Sequence, residues 1–266
     1  MTSTLPSTQD ERRLWLIRQL AAEQPEYAEL QVPADADGQR QLLRALMNVR
    51  PPMPVGEEFL AVQDAYLAER VRERGVTRAA DLPELEPGIC LWQGDITTLA
   101  ADAIVNAANS QMLGCFVPNH RCIDNAIHSF AGVQLRLACA KIMAEQGRAE
   151  ATGGAKITPG FNLPAAHVIH TVGPIVGWRL EERDRALLRS CYRSCLELAQ
   201  EQGLDSIAFC CISTGEFHFP NDEAARIAVD EVRAHLSRTG TRMRVVFNVF
   251  KQLDYELYRQ LLGRDS

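Results

Sequence analysis

Apolar positions at helical spacing fill the first third of the chain. Near residue 87 they give way to short apolar runs alternating with amphipathic helices. Leu14, Leu16, Ile17 and Leu20 form one helical stripe. Leu42, Leu43, Leu46 and Met47 form a second, closed by Pro51 and Pro52, which cannot continue a helix. Phe59, Leu60, Val62, Ala65, Tyr66 and Val71 form a third. No chemical motif falls on these stripes. Residues 1–87 therefore read as a helical N-terminal extension packed on a main domain, with partner docking as the alternative use.

From residue 88 to 266 the pattern predicts one α/β domain. Ile89–Trp92, Ala103–Asn106, Ala155–Thr158, His167–Val172, Ile207–Ile212 and Arg244–Val249 read as strands. Helices are expected over about 122–146, 182–202 (stopped by Gly203), 221–236 (with Asn221 as N-cap) and 252–262. Alternation of this kind gives a mixed central sheet covered by helices on both faces, a three-layer α/β/α architecture. Ligands of such sheets sit outside the carboxyl ends of strands. The loops after Asn106, Thr171 and Ile212 are thus the expected functional edge.

Composition narrows the function classes. The net charge is −6, with lysine only at Lys141, Lys156 and Lys251, so a general nucleic-acid binder is disfavoured. No apolar run approaches the ~20 residues that span a bilayer, and the polar N-terminus lacks a signal core. No membrane association and a cytoplasmic location are expected. Eight cysteines (90, 115, 122, 139, 191, 195, 210, 211) then read as core residues or metal ligands before disulfides. Cys191 and Cys195 share one face of a helix, Cys210 and Cys211 fall in an apolar run, and Cys115 and Cys122 alone sit in a polar, turn-like setting.

The segment from Asn106 to Gly132, NAANSQMLGCFVPNHRCIDNAIHSFAG, concentrates the candidate chemistry. Cys115, His120 and Cys122 form C-x4-H-x-C, a donor set suited to Zn2+ with one tetrahedral position left open, as in catalytic sites. His128 is an alternative fourth ligand. It also stands one helical turn beyond Asp124, so a carboxylate–imidazole pair is the other reading. Asp124 opens a helix, where a carboxylate is favoured by the dipole, or stands beside a metal to orient a sugar hydroxyl or a water. Ser213, Thr214 and Gly215 follow a buried strand and can turn backbone N–H groups into a cleft as an anion cradle. Phe217, His218 and Phe219 either line that cleft or anchor the loop. Asp95, after the strand ending in Trp92-Gln93-Gly94, offers a carboxylate to an exocyclic amine. Neither G-x-x-x-x-G-K-[ST], nor G-x-G-x-x-G, nor G-x-S-x-G occurs, which disfavours ordinary NTPases, dinucleotide oxidoreductases and serine hydrolases.

Five pieces occur in an order that resembles the macrodomain family over about residues 88–264: GDIT (94–97), VNAAN (105–109), IDNAIH (123–128) with AG (131–132), VIHTVGP (168–174) and STGEFHFP (213–220). Where that family has a glycine-rich loop, this chain reads GCFVPNHRC, and so resembles the zinc-dependent microbial branch. The resemblance implies a protein mono-ADP-ribosyl hydrolase with an ADP-ribose cleft. It implies Asp95 and the Ile96 backbone at adenine, with Phe250 stacked on the ring. It implies Asn106 bracing the loop, Asn109 on the distal ribose, and Asp124 beside that ribose or a catalytic water. Ser213, Thr214, Gly215, Glu216 and Phe217 would wrap the diphosphate, and Cys115, His120 and Cys122 would hold zinc. His128 also occurs in macrodomains without the zinc signature, which speaks against it as a ligand. The implied context is a lipoyl-carrier protein modified by a sirtuin-type transferase. The rival readings are a reader that binds ADP-ribose without turnover and a hydrolase of a small derivative such as O-acetyl-ADP-ribose.

Overall fold

A seven-stranded mixed sheet organises the protein in the computed structural model, which describes residues 5–263. Its strands are β2 (Glu84–Glu86), β3 (Ile89–Gln93), β5 (Ala103–Ala108), β6 (Ala155–Pro159), β7 (His167–Val172), β8 (Ser206–Phe209) and β9 (Arg244–Val249), in the order β2-β3-β9-β8-β5-β7-β6. A separate parallel pair joins β1 (Thr77–Arg78) to β4 (Leu99–Ala100). The inner strands run parallel, and both edge strands are antiparallel to their neighbours. The edges are blunted by composition: β2 is short and acidic, and β6 carries Lys156 and Pro159. β5, Ala-Ile-Val-Asn-Ala-Ala, is buried almost throughout, as a parallel strand covered on both faces must be.

The helices are α1 (Gln9–Ala22), α2 (Ala36–Val49), α3 (Glu57–Arg74), α4 (Ile123–Ala131), α5 (Val133–Gln146), α6 (Glu182–Glu201), α7 (Asn221–Thr239) and α8 (Gln252–Leu262). Adjacent residues of β7 report the two faces of the sheet. His170 points to α5, with its Nε2 3.8 Å from Cys139 Sγ, whereas Thr171 faces Cys191 and Cys195 of α6. Helices α6 to α8 form one outer layer and α4 with α5 the other. Among the described residues no helix is long and apolar enough to cross a membrane.

The extension has its own core. Leu16, Ile17, Leu20, Leu43, Leu46, Met47, Phe59, Val62, Tyr66 and Leu67 bury each other and take in Val133 of α5. Burying each such side chain stabilises by about 1.5–3 kcal/mol. Gln63, fully buried on α3, accepts the Val133 N–H through Oε1 at 3.0 Å and so caps α5. The last long helix of the extension ends at Arg74, while β1 already pairs with β4 and β2 with β3. The boundary expected at 87 therefore falls inside the β2–β3 hairpin.

Three local expectations are corrected. The single helix over 122–146 is two helices, broken at Gly132, whose φ of +94° leaves the helical region. A Cβ there would lie 2.6 Å from the amide ends of Gln63 and Gln134, which would have to shift to admit it. The strand read as Ile207–Ile212 is Ser206–Phe209, and Cys210 and Cys211 lie just beyond it as the chain turns into the Ser213 loop. Asn221 is the first helical residue of α7 rather than its cap, and its amide donates to Asp254 Oδ1 at 2.6 Å.

Candidate functional site

Five parallel strands, β3, β9, β8, β5 and β7, end on one edge, and the loops leaving them carry the candidate residues. The loop after β5 brings Cys115, His120 and Cys122 together, with their ligand atoms all within 4.8 Å of one another. Cys115 Sγ lies 3.6 Å from His120 Nδ1. All three residues are half-buried. Cys122 occupies the N-cap of α4, and its sulfur accepts the Asn125 N–H at 3.4 Å. The positive end of that helix therefore points into the donor set. The donor chemistry suits a divalent cation. Without one, burial pushes the Cys122 thiol up to about 12, with Cys115 and Asp124 adding to the shift against the Asn125 N–H. A bound Zn2+ would match two thiolates in charge, take a neutral imidazole and keep a fourth position open.

Asp124 stands two residues from Cys122 and is almost fully buried. Its Oδ1 accepts from Asn106 Nδ2 at 2.8 Å, and its Oδ2 lies 3.4 Å from Asn109 Nδ2. Burial raises its carboxyl to about 6, against the pull of the Asn106 amide and the Arg136 guanidinium. Asn106 is itself fully buried on β5. Its side chain lies beneath the site and fixes Asp124, the acid near the start of α4. The same amide sits 3.2 Å from His170 Nδ1, which makes Nδ1 the acceptor and turns Nε2–H toward Thr158 Oγ1 at 2.9 Å. His128, the alternative fourth ligand, does not converge with the donor set. It groups with Cys139 and His170 in the interior, and its Nε2 lies 3.5 Å from Asp124 Oδ1. Burial, with His170 and Arg136 nearby, holds it far below the ordinary imidazole range and hence neutral. Gly114 (φ +82°) lies directly on the His128 ring, where a Cβ would come within 2.8 Å.

Asn109, half-buried at the end of β5, shapes the loop with both ends of its amide. Nδ2 donates to Gly114 O at 3.2 Å, and Oδ1 accepts the Gln111 N–H at 2.9 Å. The loop after β8 is held by Phe219 N–H to Ser213 O (3.0 Å) and His218 N–H to Gly215 O (3.1 Å). Ser213 has φ +65°, and its buried side chain packs on Gly173, where a Cβ would come within 2.0 Å of Ser213 Oγ. Thr214 turns its N–H and its hydroxyl back to Cys211 O. Among the described residues, the N–H groups of Gly215, Glu216 and Phe217 have no acceptor within the chain, as an anion cradle requires. Glu216 Oε1 comes 3.7 Å from His120 Nε2, which sets this loop against the Cys-His-Cys loop.

Asp95 accepts from Thr97 N–H (3.0 Å) and Thr97 Oγ1 (2.7 Å), and pairs with Arg74 Nη1 at 2.9 Å. Ile96 has a buried side chain, so only its backbone is available to a ligand. Phe250 is 77% exposed just past β9, and its carbonyl lies 3.5 Å from Gln93 Nε2. It therefore flanks the Gly94–Asp95 turn.

Sequence reasoning missed the contribution of the extension. Arg74 pairs with Asp95 and stacks its guanidinium 3.7 Å over the Phe130 ring. Arg44 and Asn48 reach the Cys-His-Cys loop from α2. Arg136 of α5, buried, donates to Leu113 O at 2.7 Å and to the carbonyls of Met47 and Arg50. It thereby ties the loop to the end of α2. Arginines on the polar side of a helical stripe carry no signal that separates a solvated charge from these partners.

Comparison with known proteins places this geometry among relatives. Residues 105–228 match the family model described as Macro domain. A Treponema medium protein named protein-ADP-ribose hydrolase is 55% identical over 96% of this chain and 100% of its own length. A Staphylococcus aureus (strain MRSA252) protein of the same name is 51% identical over 95% of each chain. The Trypanosoma brucei macrodomain in complex with ADP-ribose superposes with a TM-score of 0.64 at 33% identity, covering 82% of this chain and 95% of that one.

Proposed function

The chain belongs to the macrodomain family, and from that premise we propose that it is a zinc-dependent hydrolase removing mono-ADP-ribose from modified proteins. Protein-ADP-ribose hydrolase activity is supported by relatives of that name at 51–55% identity along nearly the whole chain. The zinc part rests on one observation: Cys115, His120 and Cys122 converge within 4.8 Å beside the Asp124–Asn109 pair. The target class implied by the resemblance, a lipoyl-carrier protein modified by a sirtuin-type transferase, is part of the proposal, as is a cytoplasmic location of this chain.

In this reading the cradle of Gly215, Glu216 and Phe217 takes the diphosphate, Asp95 and the Ile96 backbone take the adenine, and Phe250 stacks on the ring. The distal ribose is thereby delivered to Asn109 and Asp124. Zinc, when held by the two sulfurs and the imidazole, supplies Lewis acidity toward the ribose linkage or lowers the pKa of a bound water. Asp124, locked by Asn106, orients the ribose hydroxyl or takes a proton from water. His128 is neutral beside it and adds no charge.

The test is release of ADP-ribose from a mono-ADP-ribosylated carrier protein, with and without a chelator. Turnover is expected, lost on chelation and restored by zinc. Binding with no loss of label would identify a reader instead. Faster cleavage of O-acetyl-ADP-ribose than of modified protein would identify a small-molecule hydrolase.

Asp95→Ala separates binding from chemistry. Loss of one hydrogen bond to a charged group costs about 1.5–3 kcal/mol, so ADP-ribose affinity should fall about ten- to a hundredfold. Metal content should stay at the wild-type level. Unchanged affinity by calorimetry would remove Asp95 from the adenine site.

A further inference from the structure

The extension reaches the metal loop through the Arg44 guanidinium and the Asn48 amide. Arg44 of α2 donates from Nη2 to the His120 carbonyl at 3.1 Å and to Asn125 Oδ1 at 2.8 Å, and from Nε to the same Oδ1 at 3.2 Å. Asn125, fully buried on α4, passes the contact on. Its Nδ2 donates to Val117 O at 3.0 Å and to Cys115 O at 3.4 Å, and its backbone N–H meets Cys122 Sγ at 3.4 Å. Arg44 and Asn125 together therefore touch the peptide or the sulfur of all three donor residues. One turn further along α2, Asn48 Oδ1 accepts the N–H of Asn119 at 3.0 Å. Asn119 carries a φ of +54°, in the left-handed region that asparagine tolerates better than most non-glycine residues.

We propose that Arg44 is a positioning residue for the metal site: acting through Asn125 and the His120 carbonyl, it keeps Cys115, His120 and Cys122 converged on one ion. The helical extension is then a working part of the site. This rests on the zinc reading given above. Residues behind metal ligands commonly set affinity, and their loss costs about 10–100-fold in metal binding. The guanidinium suits the task because its planar fork reaches a carbonyl and an amide oxygen at once. A lysine at this place would reach one of them.

The test measures Zn2+ affinity of the full chain by competition with a chromophoric chelator, and the sulfur-to-metal absorption of the Co2+-loaded protein. Thermal unfolding of the metal-free proteins serves as the fold control. Arg44→Ala should weaken metal binding by about 10–100-fold and alter the Co2+ spectrum, with Arg44→Lys in between. Because Arg44 acts largely through Asn125, the double variant Arg44→Ala/Asn125→Ala should bind little more weakly than Asn125→Ala alone. Wild-type metal affinity in Arg44→Ala overturns the proposal and leaves the zinc reading standing, as do fully additive losses in the double variant. A wild-type protein that binds no Zn2+ overturns the zinc reading, and this proposal with it. Should Arg44→Ala fail to fold, Arg44→Lys decides, since wild-type affinity in that variant would overturn the proposal equally.

Discussion

Cys122→Ser protein is expected to purify folded, to retain no stoichiometric zinc and to release ADP-ribose from modified protein at less than about a hundredth of the wild-type rate. The size follows from what a metal supplies. Lewis-acid stabilisation is worth several kcal/mol, and each 1.36 kcal/mol is a factor of about ten in rate. Serine is the informative substitution because Cys122 has two tasks. Its sulfur faces Cys115 and His120, and it also caps α4 by accepting the Asn125 N–H. Alanine would remove both, and loss of a cap alone costs about 0.5–2 kcal/mol. Serine restores the cap but replaces a soft thiolate with a hydroxyl that does not ionise near neutral pH. Cys115→Ala should lose as much activity without a capping cost, since Cys115 caps no helix. The loop should keep its shape in both, because it is held from outside the donor set. Arg136 donates to Leu113 O, Asn125 to Val117 O and Arg44 to His120 O. Full turnover by either variant, with metal analysis showing no bound zinc, would end the metal-dependent reading.

The contrast between the donor atoms and what holds them marks what the amino-acid pattern carried. C-x4-H-x-C was legible because ligand chemistry and spacing are local properties. The three helical stripes of the extension and the alternation beyond residue 88 were legible because burial imposes a period. Gly132 was not legible as a break, since FAGVQL continues an apolar helical rhythm and a single glycine is tolerated in such a run. The break shows only in the structure, where Gly132 has φ +94° and Gln63 of α3 accepts the N–H of Val133 that opens α5. VNAAN alone does not say whether the Asn106 side chain faces outward to a ligand. Its place in the middle of a strand buried on both faces turns it inward to Asp124. The extension's role had no sequence signature at all. Arg44 meets Asn125 across a separation of 81 residues, and Arg74 meets Asp95 across 21. Nothing periodic connects such pairs, and only the docked helices bring them together.

Asp124→Asn should bind ADP-ribose and zinc as the wild type does, yet turn over about 10²–10⁴-fold more slowly, the usual contribution of a positioned acid or base. The substitution is nearly isosteric in a buried place. Asn106 Nδ2 can still donate to the remaining carbonyl oxygen, as it does now at 2.8 Å. What changes is the other position, where an NH2 group replaces Oδ2. That group can neither accept a proton nor take a hydrogen bond from a ribose hydroxyl, and it faces the Asn109 amide nitrogen, now 3.4 Å from Oδ2. Donor would oppose donor, so Asn109 should also lose its hold on that side. The distinction lies in the parameters. A group used only in the transition state lowers kcat and kcat/KM together, whereas one used in binding raises KM alone. A rise in KM at unchanged kcat would therefore move Asp124 from the chemistry to the binding of the ribose. Wild-type values of both would leave the metal loop and Asn109 to account for catalysis without it.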